Sequence, residues 1–404
     1  MSMRSIGQKN KIAAVDFLQN VALLYMIAWG ISPPLAYGPA YRLLFIGAFL
    51  IWECIALKKQ GSALLESQIK VGLLLLAIVG ISVIADGVDA GFTGNLQLIM
   101  FFLFYCIYLY YERKDDNLSW VIWFISVLII IWNSTTLYGY ETQRNISRML
   151  AKDFEGAESY AARGIGGYAY IYSLLFFVPI TLGYVARYSK TMNIWQIILL
   201  CVALISSVMV IFSAGYMIAV LLFVVSALVL LFIKKRNKSM WGLFTLAISA
   251  LLIFIFAEDL LRAVQPYVRG TMYETKIEDM IYSLTEGSAS GAVEGRFERY
   301  IRSVKLFFQS PIWGQLSRTN IGKHSAILDK FAQFGILIGL LFTYFLMRVQ
   351  TQMIKKEIDA GIAYSIFIVS GLFFLLNNIA LAQGVMIFVY YLAVMKKIEK
   401  EKKI

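Results

Sequence analysis

Two uncharged apolar stretches, LAISALLIFIFA (246–257) and FGILIGLLFTYFLM (334–347), bracket a polar segment at residues 258–331. That contrast decides the fold class. A helix needs roughly 20 apolar residues to cross a hydrocarbon core about 30 Å thick, and blocks of this kind recur along the chain. They fall near 12–31, 41–57, 70–85, 95–111, 118–133, 167–185, 194–212, 216–233, 240–257, 332–348, 361–376 and 379–395. A closed β-barrel would show alternating segments of about ten residues instead, a pattern this sequence lacks. The composition agrees, at 59% hydrophobic residues and a mean hydropathy of +0.70. The expectation is an all-α integral membrane protein, one polytopic domain over 1–404 with about twelve transmembrane helices.

Positive charge sets the orientation, because short cytoplasmic loops retain Lys and Arg. With the N-terminus inside, 22 of the 37 Lys and Arg residues fall on inner segments and one, Arg42, on a short outer connection. The others lie in two long outer loops, 134–166 and 258–331, and long loops are largely exempt from the rule. Both termini are therefore expected in the cytoplasm. The +12 net charge is mostly this inner-loop bias, so no nucleic acid is expected as a partner. The C-terminal KKIEKEKK run (396–403) is expected to face lipid head groups. Cys54, Cys106 and Cys201 each lie inside an apolar block and form no framework. The first block lacks a small-residue cleavage site and is expected to be retained as a span.

Ionisable groups inside a bilayer usually mark a transport path. Here Asp16 and Glu53 lie near inner ends, within reach of Lys11, Lys58 and Lys59, which favours a structural role. Tyr, Asn, Ser, Gln and Trp supply the remaining polarity of the blocks. Chemistry is thus expected at the outer surface. In the first outer loop, Arg163 stands beside Gly164, Gly166 and Gly167, just before the span that begins at Tyr168. Free backbone N–H groups at a helix start, with an arginine next to them, suit a phosphate.

The long loop is more specific. In VEGRFERYIRSVKLFFQ (293–309), Phe297, Ile301, Val304 and Phe308 form one apolar stripe at helical spacing. Arg296, Arg299 and Arg302 recur beside it, and guanidinium groups match phosphate oxygens bidentately. The stripe is expected to pack on the bundle or to lie in the lipid interface. Ser310-Pro311 ends the helix. His324, the only histidine, precedes the tenth span and is the side chain whose charge changes near neutrality. Glu294, Glu298 and Asp329 are the other candidate bases in this loop. No second His, and no Cys or acid at ligand spacing, points to a metal. No GxSxG nucleophile motif occurs either.

The tract from Gly295-Arg296 through Pro311-Ile312-Trp313-Gly314 and His324-Ser325 to Leu328 and Gly335 resembles the O-antigen polymerase/O-antigen ligase superfamily of bacterial membrane glycosyltransferases. With the twelve-span reading and the long loop between spans nine and ten, the resemblance covers most of the chain. It implies a sugar donor carried on undecaprenyl diphosphate and used at the outer face of the cytoplasmic membrane, without nucleotide sugar, cofactor or metal. Flippase and chain-length-regulating proteins are the further partners it implies. By matched position, Arg296 would bind the diphosphate and His324 would lie in the active site, with Arg299 and Arg302 beside Arg296; Arg163 matches an arginine-glycine segment. One departure stands out. Many members carry Ser-Arg-Gly between spans seven and eight, where this chain has Ser213-Ala214-Gly215. Arg163 or an arginine of the 296–302 helix would replace that charge, or the diphosphate would be held differently.

Overall fold

The computed structural model describes the chain apart from residues 1–2, 37, 115–117, 143–145, 147–153, 234–256, 272, 286–290, 357, 380 and 404. It is all-helical, with no strand among the described residues. The helices used below are α1 (Met3–Ile31), α2 (Pro39–Gln60), α3 (Ser62–Asp86), α4 (Leu96–Glu112), α5 (Ser119–Thr142), α6 (Tyr168–Tyr188), α7 (Ile194–Ser213) and α8 (Met217–Phe232). They continue as α9 (Glu274–Thr285), α10 (Gly291–Gln309), α11 (Ala326–Lys356) and α12 (Ala360–Leu376). The last, α13, runs from Leu381–Gly384 through a π-helical turn, Val385–Tyr390, into Tyr391–Lys403.

Eight of these are long and apolar enough to cross a membrane: α1 from Ala14 onward, α2, α3, α5, α6, α7, α11 and α13. The helices α4, α8 and α12 are apolar but shorter, and the block at 240–257 lies almost wholly outside the described residues. The architecture is that of a multi-pass membrane protein. Local signals set the helix ends. Pro39 opens α2, where its missing N–H costs nothing. Gly61 and Gly87, both at positive φ, bound α3. Asn193 and Gln196 form a reciprocal capping box on α7.

Sequence hydropathy does not distinguish the centre of the bundle from its rim. The short α4 is central: Phe102 stacks on Phe345 at 4.0 Å and Tyr105 meets Phe388 at 5.3 Å, all four buried. The middle of α6, from Tyr170 to Thr181, is buried as well. Peripheral helices expose apolar residues such as Leu43, Leu76 and Ile205, as lipid-facing surfaces do. Because lipid is as apolar as Leu, burial alone does not associate such helices, and interhelical hydrogen bonds add about 0.6 kcal/mol each. Asn133 of α5 supplies three, donating to Ser206 at 2.9 Å and Ser207 at 3.0 Å and accepting from Tyr170 at 2.8 Å. At the opposite end from the His324 loop, Lys59 pairs with Asp16, while Glu53 takes a bond from Gln68 at 3.2 Å.

One contact shapes the end of the bundle that carries the loop. Helix α11 kinks at Gly335 (φ 71, ψ −169), and the segment after α10 lies against the kink backbone to backbone. Ile336 N–H donates to Pro311 O at 2.8 Å, Gln315 N–H to Ala332 O at 2.9 Å and Leu316 N–H to Gln333 O at 2.7 Å. A Cβ at Gly335 would lie 2.0 Å from Ile312 O, and one at Gly314 would lie 2.4 Å from Gln333 O. Gly335 also occupies a backbone region open almost solely to glycine. Gly335→Ala is therefore expected to cost about 2 kcal/mol or more, read as a lowered thermal midpoint of the purified protein. Gly72→Ala, in open space on α3, is expected to leave the midpoint unchanged or raise it, since Ala is favoured over Gly in helices by about 1 kcal/mol.

Candidate functional site

Helix α10 covers the stretch whose periodicity predicts it and ends at Gln309, before Pro311. Its polar side carries the site. At one turn, Ser303 is buried and donates to Asp329 Oδ1 at 2.6 Å while accepting the Gly322 N–H at 2.9 Å. Asp329 Oδ2 accepts the Ser325 N–H at 3.0 Å, and Ser325 Oγ caps α11 by accepting the Leu328 N–H at 3.0 Å. Gly322 lies so close that a Cβ there would come within 2.2 Å of Arg299 O. These bonds lay the Gly322-Lys323-His324 turn on α10. Lys323 takes positive φ to make the turn, and its carbonyl accepts from Asn378 at 2.5 Å.

The result is a contact of 2.6 Å between Arg299 Nη1 and His324 Nε2. A guanidinium only donates, so Nε2 is the acceptor and the imidazole is neutral with its proton on Nδ1. Burial lowers the His324 pKa, and the charges of Arg299 and then Arg296 lower it further. Arg296, three residues back, turns toward the bundle. Its charge reaches the phenols of Tyr168, Tyr172, Tyr216 and Tyr300. The Tyr172 hydroxyl is buried and makes no hydrogen bond of regular geometry among the described residues. Tyr168 donates to Asn377 Oδ1 at 2.5 Å and Tyr300 to Leu376 O at 2.7 Å. Neither Arg296 nor Arg299 forms an ion pair among the described residues.

The remaining candidates are dispersed. Arg302 is exposed and rotated by about 120° from Arg296 around α10, at 3.6 residues per turn. Glu298 is exposed on the same helix. Glu294 lies in its first turn, with its side chain outside the described residues. Asp329 is buried with both oxygens engaged as above. Arg163 is exposed on the turn after the short helix Phe154–Ala162 and touches neither Arg296 nor His324 among the described residues. Its neighbours Ala161, Ile165 and Gly167 wall a cavity of about 360 Å³, shared with Trp29, Arg42, Tyr168 and Asn378. Tyr168 and Asn378 join this cavity to the Arg296–His324 cluster.

Two features are missed in the sequence. Lys276 of α9 reaches the Gly215 carbonyl, and the neighbouring Tyr273 hydroxyl bonds to Phe212 O. A cation thus occupies the Ser213-Ala214-Gly215 turn, next to Tyr216, whose phenol faces Arg296. The loop is also clamped from the other side. Asp86, closing α3, accepts from Ser317 Oγ at 2.5 Å and from Arg318 N–H at 2.9 Å, and the Arg318 guanidinium rests on Gly94. Neither Lys276 nor Asp86 stands in a motif, and only folding brings them to the loop.

No family model, curated protein or solved structure matches the chain.

The single histidine makes the electrostatics measurable. With histidine labelled for NMR, one imidazole titration is expected, with its midpoint below about 6.5 and moving up in Arg299→Gln. A wild-type midpoint at or above the ordinary value would overturn the assigned contact. The linkage sign follows: an unfolded chain takes up this proton at higher pH than the folded one. His324 therefore subtracts stability as pH falls through about 6.5.

Proposed function

We propose that this protein is a membrane glycosyltransferase that polymerises lipid-linked oligosaccharide repeat units, as for O-antigen, capsular polysaccharide or exopolysaccharide. Its donor is a glycan on undecaprenyl diphosphate, used at the outer face of a bacterial cytoplasmic membrane. On the twelve-span reading with both termini inside, α9, α10 and the His324 turn would lie on that face. The reading is carried by one observation: two guanidiniums without carboxylate partners among the described residues, Arg296 and Arg299, flank a neutral histidine at the mouth of an apolar bundle. Such a cluster attracts a polyanion, and a lipid diphosphate brings its charge to that depth.

In the proposed step, an acceptor sugar hydroxyl attacks the anomeric carbon while the bond from that carbon to the diphosphate oxygen breaks. The electron pair leaves on the diphosphate, where Arg296 and Arg299 stabilise the developing charge. Arg299 turns to the phosphate and releases His324 Nε2, which takes the hydroxyl proton. The same anion favours the imidazolium it leaves behind. Attack opposite the leaving group inverts the anomeric centre. Asp329, with its oxygens engaged by Ser303 and Ser325, holds the turn; Glu298 faces solvent. Lys276 is the cation at the turn where the resemblance would place an arginine. The adjoining cavity offers space of sugar size beside Tyr168.

A ligase differs only in passing the glycan to a terminal acceptor, with the same cluster. A flippase for the same lipid-linked glycan, the reading from another class, would place charge along a central path. The hydrogen bonds across the described bundle come largely from uncharged groups, Asn133, Thr181, Gln333 and Gln350, with Lys330 beside Gln333.

Purified protein in liposomes with an undecaprenyl-diphosphate oligosaccharide is expected to give a product ladder and free lipid diphosphate. Arg296→Ala and His324→Ala are each expected to cost about 100-fold or more while the protein stays folded and inserted. Release of lipid diphosphate only with a terminal acceptor would show a ligase. Translocation without bond cleavage, or full activity of both variants, would refute the reading.

A further inference from the structure

The corner that follows α10 presents its largest apolar side chains to the outside. Phe308 is 72% exposed, Ile312 64% and Trp313 74%. In a water-soluble loop this would be an unusual loss of burial, yet the backbone of the corner is firmly held. Its backbone is bonded to Ala332, Gln333 and Ile336, with Gly314 and Gly335 nearly in contact. The side chains therefore point outward because the backbone fixes them there. The surface continues without a break in residue type. Ile336, bonded to Pro311, is exposed, and beyond it on α11 lie the exposed Leu337, Leu340, Leu341 and Tyr344. On the other flank, Asp86 ties Ser317 and Arg318 to the end of α3, where Ile84 and Val88 are exposed. Both flanks belong to, or immediately follow, helices long and apolar enough to cross a membrane. Lys305 and Arg302 are exposed on α10, within two turns of Phe308.

We propose that Phe308, Ile312 and Trp313 form a membrane-interface anchor that sinks into the head-group and acyl boundary of the bilayer crossed by α11. The partner is the lipid surface itself. Trp is favoured at that depth because its ring is apolar and its N–H is polar, and neighbouring Lys and Arg suit the phosphates above it. The apolar belt of α11 and α3 identifies lipid as the occupant, because the anchor extends a surface that already faces the bilayer. The anchor fixes the height of α10, and with it the depth at which Arg296 and Arg299 stand. It does not depend on the glycosyl-transfer reading.

The test uses the full chain in nanodiscs whose lipids carry bromine either near the head group or near the chain end. The sequence has eight tryptophans, so the Trp313 signal is taken as the fluorescence lost in Trp313→Phe. That component is expected to emit at short wavelength and to be quenched more by the shallow bromine than by the deep one. A red-shifted component quenched by aqueous iodide and by neither lipid would overturn the anchor. Phe308→Ser serves as the second probe. It is expected to shift the Trp313 component toward the red and weaken its quenching, with circular dichroism unchanged; an unaltered Trp313 signal in this variant would remove Phe308 from the anchor.

Discussion

The meeting of two backbones at Gly314 and Gly335 is the constraint on which the functional end of this protein depends. Side chains cannot be accommodated there, because the approach leaves no room for a Cβ on either strand of chain. The contact turns the start of α11 into a separate short helix, Ala326 to Phe334, set at an angle to the long span below. Asp329 and Ser325 sit at the N-terminal end of that short helix, and through Ser303 they take hold of α10. The Gly322-Lys323-His324 turn is then confined between the two helices. Relaxing the glycine contact would therefore move the histidine relative to Arg299, although neither glycine touches either residue.

Electrostatics at the site follow from this rigidity. Partial burial disfavours the proton on the imidazole, and the Arg299 and Arg296 guanidiniums within reach repel it further. A loop free to move would separate such like charges or recruit a carboxylate. Here Asp329, the buried acid closest in the network, is occupied by Ser303 and by the Ser325 N–H. The cluster is thereby left with positive charge unpaired among the described residues, and a ring of phenols stands on its inner side. Tyrosines supply hydrogen-bonding edges without adding charge, which suits a sugar as well as a phosphate ester. On the proposed reading, the site is preorganised for an anion at the cost of local repulsion, the arrangement expected where charge develops during reaction.

Much of this was legible from residue spacing. The apolar stripe and its arginines gave α10 to within two residues of its start and at its end, and the separation of Arg299 from His324 still allowed them to meet. Pro311 and the glycines of the motif marked the corner without revealing that Gly314 and Gly335 touch. The partners that complete the site were not legible. Tyr168, Tyr172 and Tyr216 come from helices far away in sequence, where each reads as an ordinary aromatic of an apolar block. Lys276 lies in a segment whose acidic neighbours masked it, and Ser303 looks like a spacer between charged residues. Hydropathy also ranked the blocks by composition, so it could not show that α4 is largely buried while α3 and α7 expose much of their surface. Arg163, whose glycine-rich setting suggests an anion site, stands on a turn whose neighbours Ala161, Ile165 and Gly167 wall a cavity that the spacing did not reveal.

Helix α10 joins two environments that a soluble domain would keep apart. Arg296 near its start reaches phenols at the mouth of the bundle, and Phe308, twelve residues on, lies about 18 Å along the axis at 1.5 Å per residue. With Phe308 in lipid, as proposed, and the Arg296 end against the phenols of α6, a rod of that length admits little tilt. The depth of the arginines is then set by the bilayer as much as by the protein. The proposed donor, a diphosphate headed by a glycan and tailed by polyprenyl, would sit at a depth fixed by its own chain, and cations that grip it would have to match that depth. The proposed anchor, by holding the helix that carries those cations in the same lipid, would satisfy this condition without requiring the loop to search for that donor.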